Sequence, residues 1–343
     1  MKQSIHNNYT SKTIEHTSNY YMFNFAKFYS FLPQHITKEM LSEAYLTWFI
    51  GFFEADGTFE QDGRVNITQK YLDKKLLYNI STTLGMGTVY DHNKGHVSTE
   101  CGRLEDLSAQ LVAQPSTESS VNAMPWPLKG PCSTACSAAR GVMGKTARWR
   151  TKASNADVAA RIALLFNGNI VTSSKLNNFK RWCENWLNNE EFRRTVGPDF
   201  EIQSQSKPKL MSFSNGWLSG FIDGDGHWGI SVWKTPSRTN PGASIKMAVI
   251  AQGDPEWIEK AQVVLNMGRR DPRTGNKNVK WTVSKHTDLD ILVEYIEKYP
   301  HKTLKGVSFS KFCKLRRRIL KKEHHGAGYE EIKALCLEVN KFY

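Results

Sequence analysis

The sequence repeats one short pattern, and this repeat constrains the fold more than any other feature. The first copy, residues 48–57, is WFIGFFEADG, and the second copy, residues 217–226, is WLSGFIDGDG. The aromatic, glycine and acidic positions coincide between the two copies. Because matching segments should form the same local structure, the repeat predicts two related halves arranged about a pseudo-twofold axis.

The similarity continues downstream of each copy, so both halves have the same predicted order of elements. Matching pairs are Ile67-Thr-Gln69 with Ile250-Ala-Gln252, the amphipathic stretches 71–84 and 255–265, Arg148-Trp149 with Lys280-Trp281, and Lys175 and Phe179 with Lys305 and Phe309. Each half therefore has the order helix, two strands, helix, two strands, helix. We expect an α+β fold of two αββαββα halves, with helices on one face of each antiparallel sheet.

Changes in composition divide the chain into four parts. We expect an N-terminal extension at residues 1–44, a first half at 45–189, a linker at 190–214 and a second half at 215–343. Residues 190–214 show no hydrophobic periodicity and contain Gly197-Pro198 and Lys207-Pro208, which is typical of a linker. The sequence indicates no clear role for the N-terminal extension.

The first half carries an insertion that the second half lacks. Gly87 and Trp149 are 62 positions apart, whereas the matching Gly268 and Trp281 are 13 apart. The extra stretch, about residues 96–147, is rich in Ser, Ala and Pro, which predicts a surface loop or disordered segment that leaves the core undisturbed. Three cysteines lie inside it, but no fourth ligand at suitable spacing accompanies them, so a zinc site is not favoured.

Small residues on each motif helix predict close packing of the two helices. Gly51 and Ala55 are four positions apart and therefore share one helix face, as do Gly220 and Gly224. Small residues at this spacing let two helix backbones approach closely. Gly57 and Gly226, which follow the helices, suit the left-handed conformation that often ends a helix.

Such packing would bring two carboxylates together. Asp56 and Asp225 end the two helices, so their side chains should lie side by side next to the strands that follow. Two neighbouring carboxylates repel each other unless a cation lies beside them. Oxygen ligands with open water positions suit Mg²⁺, and Mn²⁺ is the alternative. Two such acids could serve one scissile phosphate on each strand of a duplex.

Other interpretations of the acidic motif are weaker. A lone Asp-Gly is usually a turn, and Asp223-Gly-Asp225-Gly could open a calcium loop. The next alternate position is His227, however, and no suitable glutamate closes such a loop. A phosphatase-type Asp-x-Asp would follow an apolar strand, whereas the glycine spacing here favours a helix. Two copies in matching contexts favour a paired functional site.

The two motifs resemble those of the double-motif LAGLIDADG homing endonucleases, with Glu54 in place of the first acid of the first motif. The resemblance covers nearly the whole chain except residues 1–44 and the insertion. It implies that the sheets are saddle-shaped. It also implies that the second acids, Asp56 and Asp225, coordinate catalytic metal, and that the first acids, Glu54 and Asp223, are structural.

The same resemblance implies further catalytic residues. Gln69 and its repeat partner Gln252 match the glutamine that orders water near the scissile phosphate. A basic residue is also expected near the metals. Lys302 is the candidate in the second half, but its repeat partner is Thr172, so the active site would be asymmetric.

The charge balance supports a polyanionic partner. Lys and Arg number 46 against 33 Asp and Glu, which gives a formal charge of +13. The strands after each motif should form ribbons that fit the major groove of double-stranded DNA. The candidates on these ribbons are Arg64, Asn66, Thr68, Lys70, Trp233, Lys234, Arg238 and Lys246. Arg269, Arg270 and Lys277 on the next loop are candidate phosphate contacts. The basic run Lys314–Lys322 predicts a solvated helix face, or else contact with phosphate or RNA.

These features together predict a site-specific double-strand DNA endonuclease whose role, by resemblance, is intron homing. Two alternatives stay open. One is an intron maturase on the same fold that binds its own intron RNA and cleaves weakly or not at all. The other is a DNA-binding regulator, although such a protein would have no need of paired carboxylates.

The expected setting follows partly from the resemblance, because such proteins are commonly encoded in organelle introns. The N-terminus lacks the features of a signal or transit peptide, which agrees with synthesis inside a mitochondrion or a plastid. No stretch of about 20 apolar residues predicts a membrane span. Because both motifs lie in one chain, we expect a monomer.

Overall fold

The computed structural model describes residues 22–91, 146–252, 256–271 and 278–342, and these form two similar halves. The elements of the first half are α1 (Ala26–Tyr29), α2 (Glu43–Asp56), β1 (Gly57–Phe59), β2 (Val65–Lys70), α3 (Lys74–Leu84), β3 (Thr88–Asp91), β4 (Thr146–Arg150), α4 (Ala156–Phe166), α5 (Ser173–Glu184) and α6 (Glu190–Val196). Those of the second half are α7 (Trp217–Asp225), β5 (Gly226–Trp233), β6 (Gly242–Gln252), α8 (Glu256–Leu265), β7 (Arg269–Asp271), β8 (Asn278–Val283), α9 (His286–Lys298), α10 (Lys305–Leu320) and α11 (Tyr329–Glu338).

The two sheets have the same topology. Both are antiparallel and four-stranded, with strand orders β1-β2-β4-β3 and β5-β6-β8-β7. Ile67 lies opposite Trp149 in the first sheet, and Val249 lies opposite Trp281 in the second. The register therefore makes Ile67 equivalent to Val249, so the predicted match of Ile67 with Ile250 is wrong by one residue. Gln252 consequently occupies the strand position of Lys70, one residue beyond that of Gln69. Both tryptophans are fully buried against the helices. The predicted pair of αββαββα halves is confirmed, and each half carries additional helices.

Helices α2 and α7 pack together with their backbones in direct contact. A Cβ placed on Gly51 would lie 2.0 Å from the carbonyl oxygen of Trp217, and one on Gly220 would lie 1.9 Å from that of Trp48. A Cβ on Gly224 would lie 2.3 Å from the Cβ of Ala55. These four small residues therefore line the contact between the helices, and neither glycine at the centre has room for a side chain.

The expected left-handed conformation of Gly57 and Gly226 is wrong. Their φ angles are −82° and −78°, and both residues are extended. The chain passes from each helix straight into a strand, so no left-handed turn is needed. Glycine fits because a Cβ would collide with helix side chains, at 2.2 Å from the Phe53 ring and 2.4 Å from Ile222.

The predicted linker is partly helical. Residues 190–196 form α6, whose Phe192 and Val196 are buried, and Asn189 caps its first turn by accepting from the backbone N–H of Phe192. A second turn of 3₁₀ helix covers Pro208–Leu210. A helix of fewer than two full turns buries too few residues to produce a recognisable period, which is why the sequence pattern missed it.

The other predicted boundaries also shift. Phe25, Phe28, Ile36 and Leu41, which belong to the predicted N-terminal extension, are buried in the core. Helix α2 begins two residues before the predicted start of the first half, at Glu43, with Ser42 as its cap. Strand β4 begins at Thr146, so the last two residues of the predicted insertion are part of the sheet. The rest of the insertion, including its three cysteines, lies outside the described residues. No helix in the described ranges is long and apolar enough to cross a membrane.

Candidate active site

The second acids of the two motifs lie at the meeting point of the halves. Asp56 is the last residue of α2, and Asp225 is the last residue of α7. Because these helices pack along their length, their C-terminal ends lie side by side, and a Cβ on Gly224 would be 3.1 Å from the Oδ2 of Asp56. The carbonyl ends of two helices carry partial negative charge, so this position favours a cation.

The two carboxylates disfavour each other's ionisation. Burial and the nearby charge of Asp56 raise the pKa of Asp225 to about 6. Burial also raises the pKa of Asp56, and a hydrogen bond from Gln69 opposes this shift. The side chain of Asp225 makes no hydrogen bond within the described ranges. A pair of acids held in this state should gain more from a bound cation than two separate surface acids would.

Gln69 connects the sheet of the first half to this acid pair. Its Nε2 donates to the Oδ2 of Asp56 over 2.6 Å. Gln69 lies one residue before the end of β2, on the face of the sheet that packs against the helices. Gln252 ends β6, where its backbone pairs with Asn278, but its side chain lies outside the described part of the structure.

Two lysines, and not Lys302, place positive charge beside the acids. The Nζ of Lys175 donates to the carbonyl oxygen of Gly57 over 2.6 Å, and the Nζ of Lys305 donates to that of Gly224 over 2.7 Å. Lys175 lies in the first turn of α5, and Lys305 is the first residue of α10. Burial lowers the pKa of each ammonium, and the charges of Asp56 and Asp225 oppose this effect.

The structure places the side chain of Lys302, the predicted basic residue, against two aromatic rings. Its side chain is exposed, and its Nζ lies 5.4 Å from the ring centre of Trp48 and 5.8 Å from that of Tyr45. Only its backbone N–H reaches a motif acid, Asp223, over 2.7 Å. The sequence held the better signal, because Lys175 and Lys305 occupy the same position of the repeat whereas Lys302 aligns with Thr172.

The first acids of the motifs are buried, and each accepts hydrogen bonds from groups in both halves. Glu54 accepts hydrogen bonds from the backbone N–H groups of Val171 and Thr172 at the start of α5, and from the indole of Trp217 in the other half. Asp223 accepts equivalent bonds from Lys302 and Thr303 before α10, and from the indole of Trp48. These contacts give both acids a structural role, since they cap the helices that carry the site lysines.

The second half has one further partner for its first acid. His301 lies with Nδ1 3.4 Å from Asp223, and its Nε2 accepts from the indole of Trp228 over 3.2 Å. The matching residue of the first half is Val171. His301 and the hydrogen bonds at Asp223 lower the pKa of this acid although burial alone would raise it.

The oxygen ligands of the site suit a hard divalent cation that keeps several of its water ligands when it binds. Asp56 and Asp225 supply carboxylate oxygens, and within the described ranges no group of three or more His, Cys, Asp or Glu side chains is gathered for a metal. A cage made wholly of protein ligands is thus not present in that part of the chain. Carboxylates with space for water and substrate oxygens fit Mg²⁺ better than zinc.

The predicted DNA-contacting residues of the first sheet divide into free and engaged side chains. On β2, Asn66, Thr68 and Lys70 alternate with the core residues and so share the face opposite the helices. Asn66 donates to Glu60, Thr68 accepts from Arg148, and Lys70 is exposed. Arg64 forms an ion pair with Asp62 over 2.6 Å.

The candidates of the second sheet are more exposed. Trp233, at the end of β5, is 43% exposed, and Arg238 lies in the exposed turn that follows. Lys234 lies over the ring of Tyr329 and 3.9 Å from Glu330. Lys246 and Arg269 form no ion pair within the described ranges, whereas Arg270 pairs with Glu259 over 2.8 Å. Lys277 lies outside the described residues.

Sequence reasoning missed three basic residues on the sheet face. Arg148 and Arg150 on β4 alternate with the buried Ala147 and Trp149, and Lys280 on β8 alternates with Val279 and Trp281. The alternation around each tryptophan could have identified them. Arg150 forms an ion pair with Glu60, whereas Arg148 and Lys280 form no ion pair within the described ranges.

A cavity extends the basic surface at the outer end of the second sheet. Its volume is about 610 Å³, and its lining includes Trp233, Lys246, Arg269 and Lys322, with no acidic side chain among the described residues that line it. Lys322 belongs to the predicted basic run 314–322. Two other members of that run are engaged elsewhere, because Arg316 pairs with Asp290 over 2.7 Å and Arg318 with Glu331 over 2.7 Å.

Comparisons with known proteins agree on one family. A family model described as LAGLIDADG endonuclease matches residues 218–316. A curated protein of Neurospora crassa, described as probable intron-encoded endonuclease 4, is 25% identical over 297 residues, which are 84% of this chain and 44% of the relative. The chain thus spans less than half the length of this relative.

Two solved meganuclease structures have a similar fold. I-SmaMI, bound to an uncleaved DNA target in the presence of calcium ions, gives a TM-score of 0.55 at 16% identity, covering 87% of this chain and 99% of that chain. The LAGLIDADG meganuclease I-AabMI, bound to uncleaved DNA, gives 0.56 at 16% identity, covering 86% and 99%. At this level of identity the likeness establishes the shared fold.

Proposed function

We propose that the chain, which is similar to a LAGLIDADG endonuclease family model over residues 218–316, is a site-specific double-strand DNA endonuclease that acts in intron homing. The observation that carries the proposal is the pairing of Asp56 and Asp225 at the C-terminal ends of α2 and α7. Each half contributes one acid and one lysine. Two related sets of groups suit the two strands of a duplex, whose phosphates are related by a similar twofold axis.

In this proposal Asp56 and Asp225 hold the divalent cations, which we take to be Mg²⁺, with Mn²⁺ as a substitute. A bound divalent cation supplies Lewis-acid stabilisation of charge on the phosphate oxygens. The pKa of Asp225, which burial raises to about 6, still leaves this carboxylate mostly ionised at neutral pH and therefore able to bind a cation. Asp225 is exposed to solvent, which leaves it accessible to the phosphate.

The protein's own cationic and amide groups complete the chemistry. Lys175 and Lys305, anchored on the carbonyls of Gly57 and Gly224, place fixed positive charge where negative charge develops on the phosphate during hydrolysis. Gln69 donates its N–H to Asp56, which leaves its amide oxygen to accept a hydrogen bond from the attacking water. Gln252 matches Gln69 in the sequence motif, but the strand register places Gln252 at the position of Lys70, so we propose the water-ordering role for Gln69.

The face of the two sheets opposite the helices is the proposed DNA surface. Candidate contacts in the first half are Arg64, Asn66, Thr68, Lys70 and Arg148. Those in the second half are Trp233, Lys234, Arg238, Lys246, Arg269, Arg270, Lys277 and Lys280. Unpaired lysines and arginines should contact phosphates, which gives affinity but no sequence choice, while the polar groups at the centre of each sheet read base edges.

The two alternative functions are not favoured. A DNA-binding regulator gives no reason for two acids and two lysines gathered at one point, and the matched proteins are described as endonucleases. We propose that the protein acts as a monomer, because one chain supplies both halves. By analogy with its intron-encoded relative we propose that it is encoded in an organelle, the mitochondrion before the plastid.

The test is cleavage of a plasmid that carries the host sequence joined as it would be without the intron. We expect a linear product in Mg²⁺, no product in EDTA, and loss of cleavage in Asp56→Asn and Asp225→Asn. Tight, salt-sensitive binding of the same plasmid without cleavage in either Mg²⁺ or Mn²⁺ would overturn the nuclease and favour a binding function.

A further inference from the structure

Asp73 of the first half binds a helix of the second half. It ends the 3₁₀ turn Tyr71–Asp73 that follows β2, and its Oδ1 accepts a hydrogen bond from the backbone N–H of Leu304 over 2.7 Å. The two residues are 231 positions apart in the sequence. This contact crosses from the DNA-facing sheet of one half to the start of α10 in the other.

The N-terminus of α10 is held by acids from both halves. Backbone N–H groups at the start of a helix have no partner inside the helix and need outside acceptors. Here Asp223 accepts a hydrogen bond from the N–H of Lys302, and Asp73 accepts one from the N–H of Leu304. The side-chain oxygen of Thr303 accepts a third from the N–H of Lys305. Asp73 is the acceptor that the first half supplies.

Lys305 is the first residue of α10, so these bonds fix where its side chain starts. From there its Nζ reaches the carbonyl oxygen of Gly224, next to Asp225. Asp73 also adds to the negative charge that favours the ammonium form of Lys305. Burial raises the pKa of Asp73 itself, and the Leu304 N–H opposes this shift, which agrees with a half-buried acceptor.

We propose that Asp73 is a positioning residue that sets the place of Lys305 in the active site from the opposite half. The inference rests on the proposed nuclease function. It also gives a route between DNA contact and chemistry, because Lys70 on the sheet face is three residues upstream of Asp73. Displacing Lys305 should slow cleavage of the strand that its site serves more than cleavage of the other strand.

The first test needs neither DNA nor metal. Amide hydrogen exchange should quicken at residues 304–308 in Asp73→Ala, and it should stay close to wild type at residues 173–176, the start of α5. Asp73→Asn keeps an acceptor oxygen for the Leu304 N–H and should restore protection at α10. Unchanged exchange in Asp73→Ala, or equal loss at both helices, would overturn the positioning role.

The second test measures cleavage of each strand separately, on a duplex labelled at both ends. We expect Asp73→Ala to cut one strand roughly tenfold or more slowly than the other, since small displacements of catalytic groups cost this much or more. A nicked intermediate should then accumulate. Asp73→Asn should restore most of the lost rate. As a matched control, Asp157→Ala removes an exposed acid from the first turn of α4 and should leave both rates unchanged.

The two tests separate this inference from the proposed function. If wild type cuts neither strand, the nuclease proposal fails, while hydrogen exchange still decides whether Asp73 holds α10. If wild type cuts both strands and Asp73→Ala slows them equally or not at all, the nuclease proposal stands and the positioning role is overturned.

Discussion

The indole of Trp48 in the first half donates to Asp223 in the second half over 2.9 Å, and the pseudo-twofold axis relates this bond to a second one. Trp217 of the second half donates to Glu54 of the first half over the same distance. Each tryptophan opens one motif, and each acid belongs to the other motif. The halves are therefore joined by two crossed hydrogen bonds as well as by the glycine contacts between α2 and α7.

Trp48→Phe should destabilise the protein by roughly 1.5–3 kcal/mol, the usual contribution of a hydrogen bond to a charged group. Denaturant unfolding measures this change. Trp182→Phe is the matched control, because Trp182 is equally buried but its indole N–H has no partner within the described ranges. Equal losses in the two variants would mean that the indole hydrogen bond contributes nothing.

Gly51→Ala and Gly220→Ala should each cost roughly 3 kcal/mol or more, because overpacking against backbone atoms cannot be relieved by a rotamer change. Thermal unfolding will show whether the folded state persists. Gly306→Ala in α10 is the control, since a Cβ there meets nothing closer than 3.5 Å and alanine favours the helix. Equal melting temperatures for all three variants would contradict the close backbone contact at Gly51 and Gly220.

Asp225→Asn should abolish cleavage and yet stabilise the metal-free protein at high pH. The pKa of Asp225 is about 6 in the folded protein, above its ordinary 3.8, so the folded state binds the proton more tightly. Stability from this group is complete below pH 3.8 and is lost as pH rises through 6. The gain in melting temperature on substitution, measured in EDTA, should be larger at pH 8 than at pH 5. An equal gain in melting temperature at pH 5 and pH 8 would contradict the raised pKa of Asp225.

Lys305→Met should lower the cleavage rate by roughly 100-fold or more, as expected when a group that stabilises developing charge is removed. Lys302→Met should have a small effect, because that ammonium lies over aromatic rings away from the acids. Single-turnover cleavage at saturating DNA measures both variants. The reverse order of effects would restore Lys302 as the active-site lysine.

Arg148→Ala and Lys280→Ala should each weaken DNA binding and reduce the slope of log affinity against log salt by about 1, the value for one lost phosphate contact. Binding titrations in EDTA at several salt concentrations give the slope. Lys260→Ala on α8 is the control, because Lys260 pairs with Glu256 on a helix surface away from the sheet face. An unchanged slope in both sheet variants would remove this face from the interface.

The sequence predicted most of the fold because its strongest signals are repeated. The spacing of Gly51 and Ala55, found again in Gly220 and Gly224, was enough to predict a close helix pair and therefore the meeting of Asp56 with Asp225. Lys302 was predicted from its basic character alone, whereas Lys175 and Lys305 occupy matching positions of the repeat. Which lysine reaches the acids depends on where α5 and α10 begin, and those helix starts are set by Glu54, Asp223 and Asp73 through tertiary contacts.

Other features depended on packing that no local pattern encodes. The extended backbone at Gly57 results from a helix that continues directly into a strand, and only the position of the Phe53 ring explains the glycine. The burial of Phe192 in a short helix, and of Phe25 and Phe28 in the predicted extension, depends on surfaces of the first half formed by distant residues. Arg148 and Lys280 were recoverable from alternation, since each lies beside a buried tryptophan.

The crossed bonds of Trp48 and Trp217 also bear on how such a chain can evolve or be recombined. A mutation at either tryptophan removes one hydrogen-bond donor from a buried carboxylate of the opposite repeat, so a change in one copy affects the stability of the other. A chimera that joins this first half to the second half of a relative inherits the same dependence. Its interface will be complete only if the incoming half brings both an indole to meet Glu54 and an acid to meet Trp48.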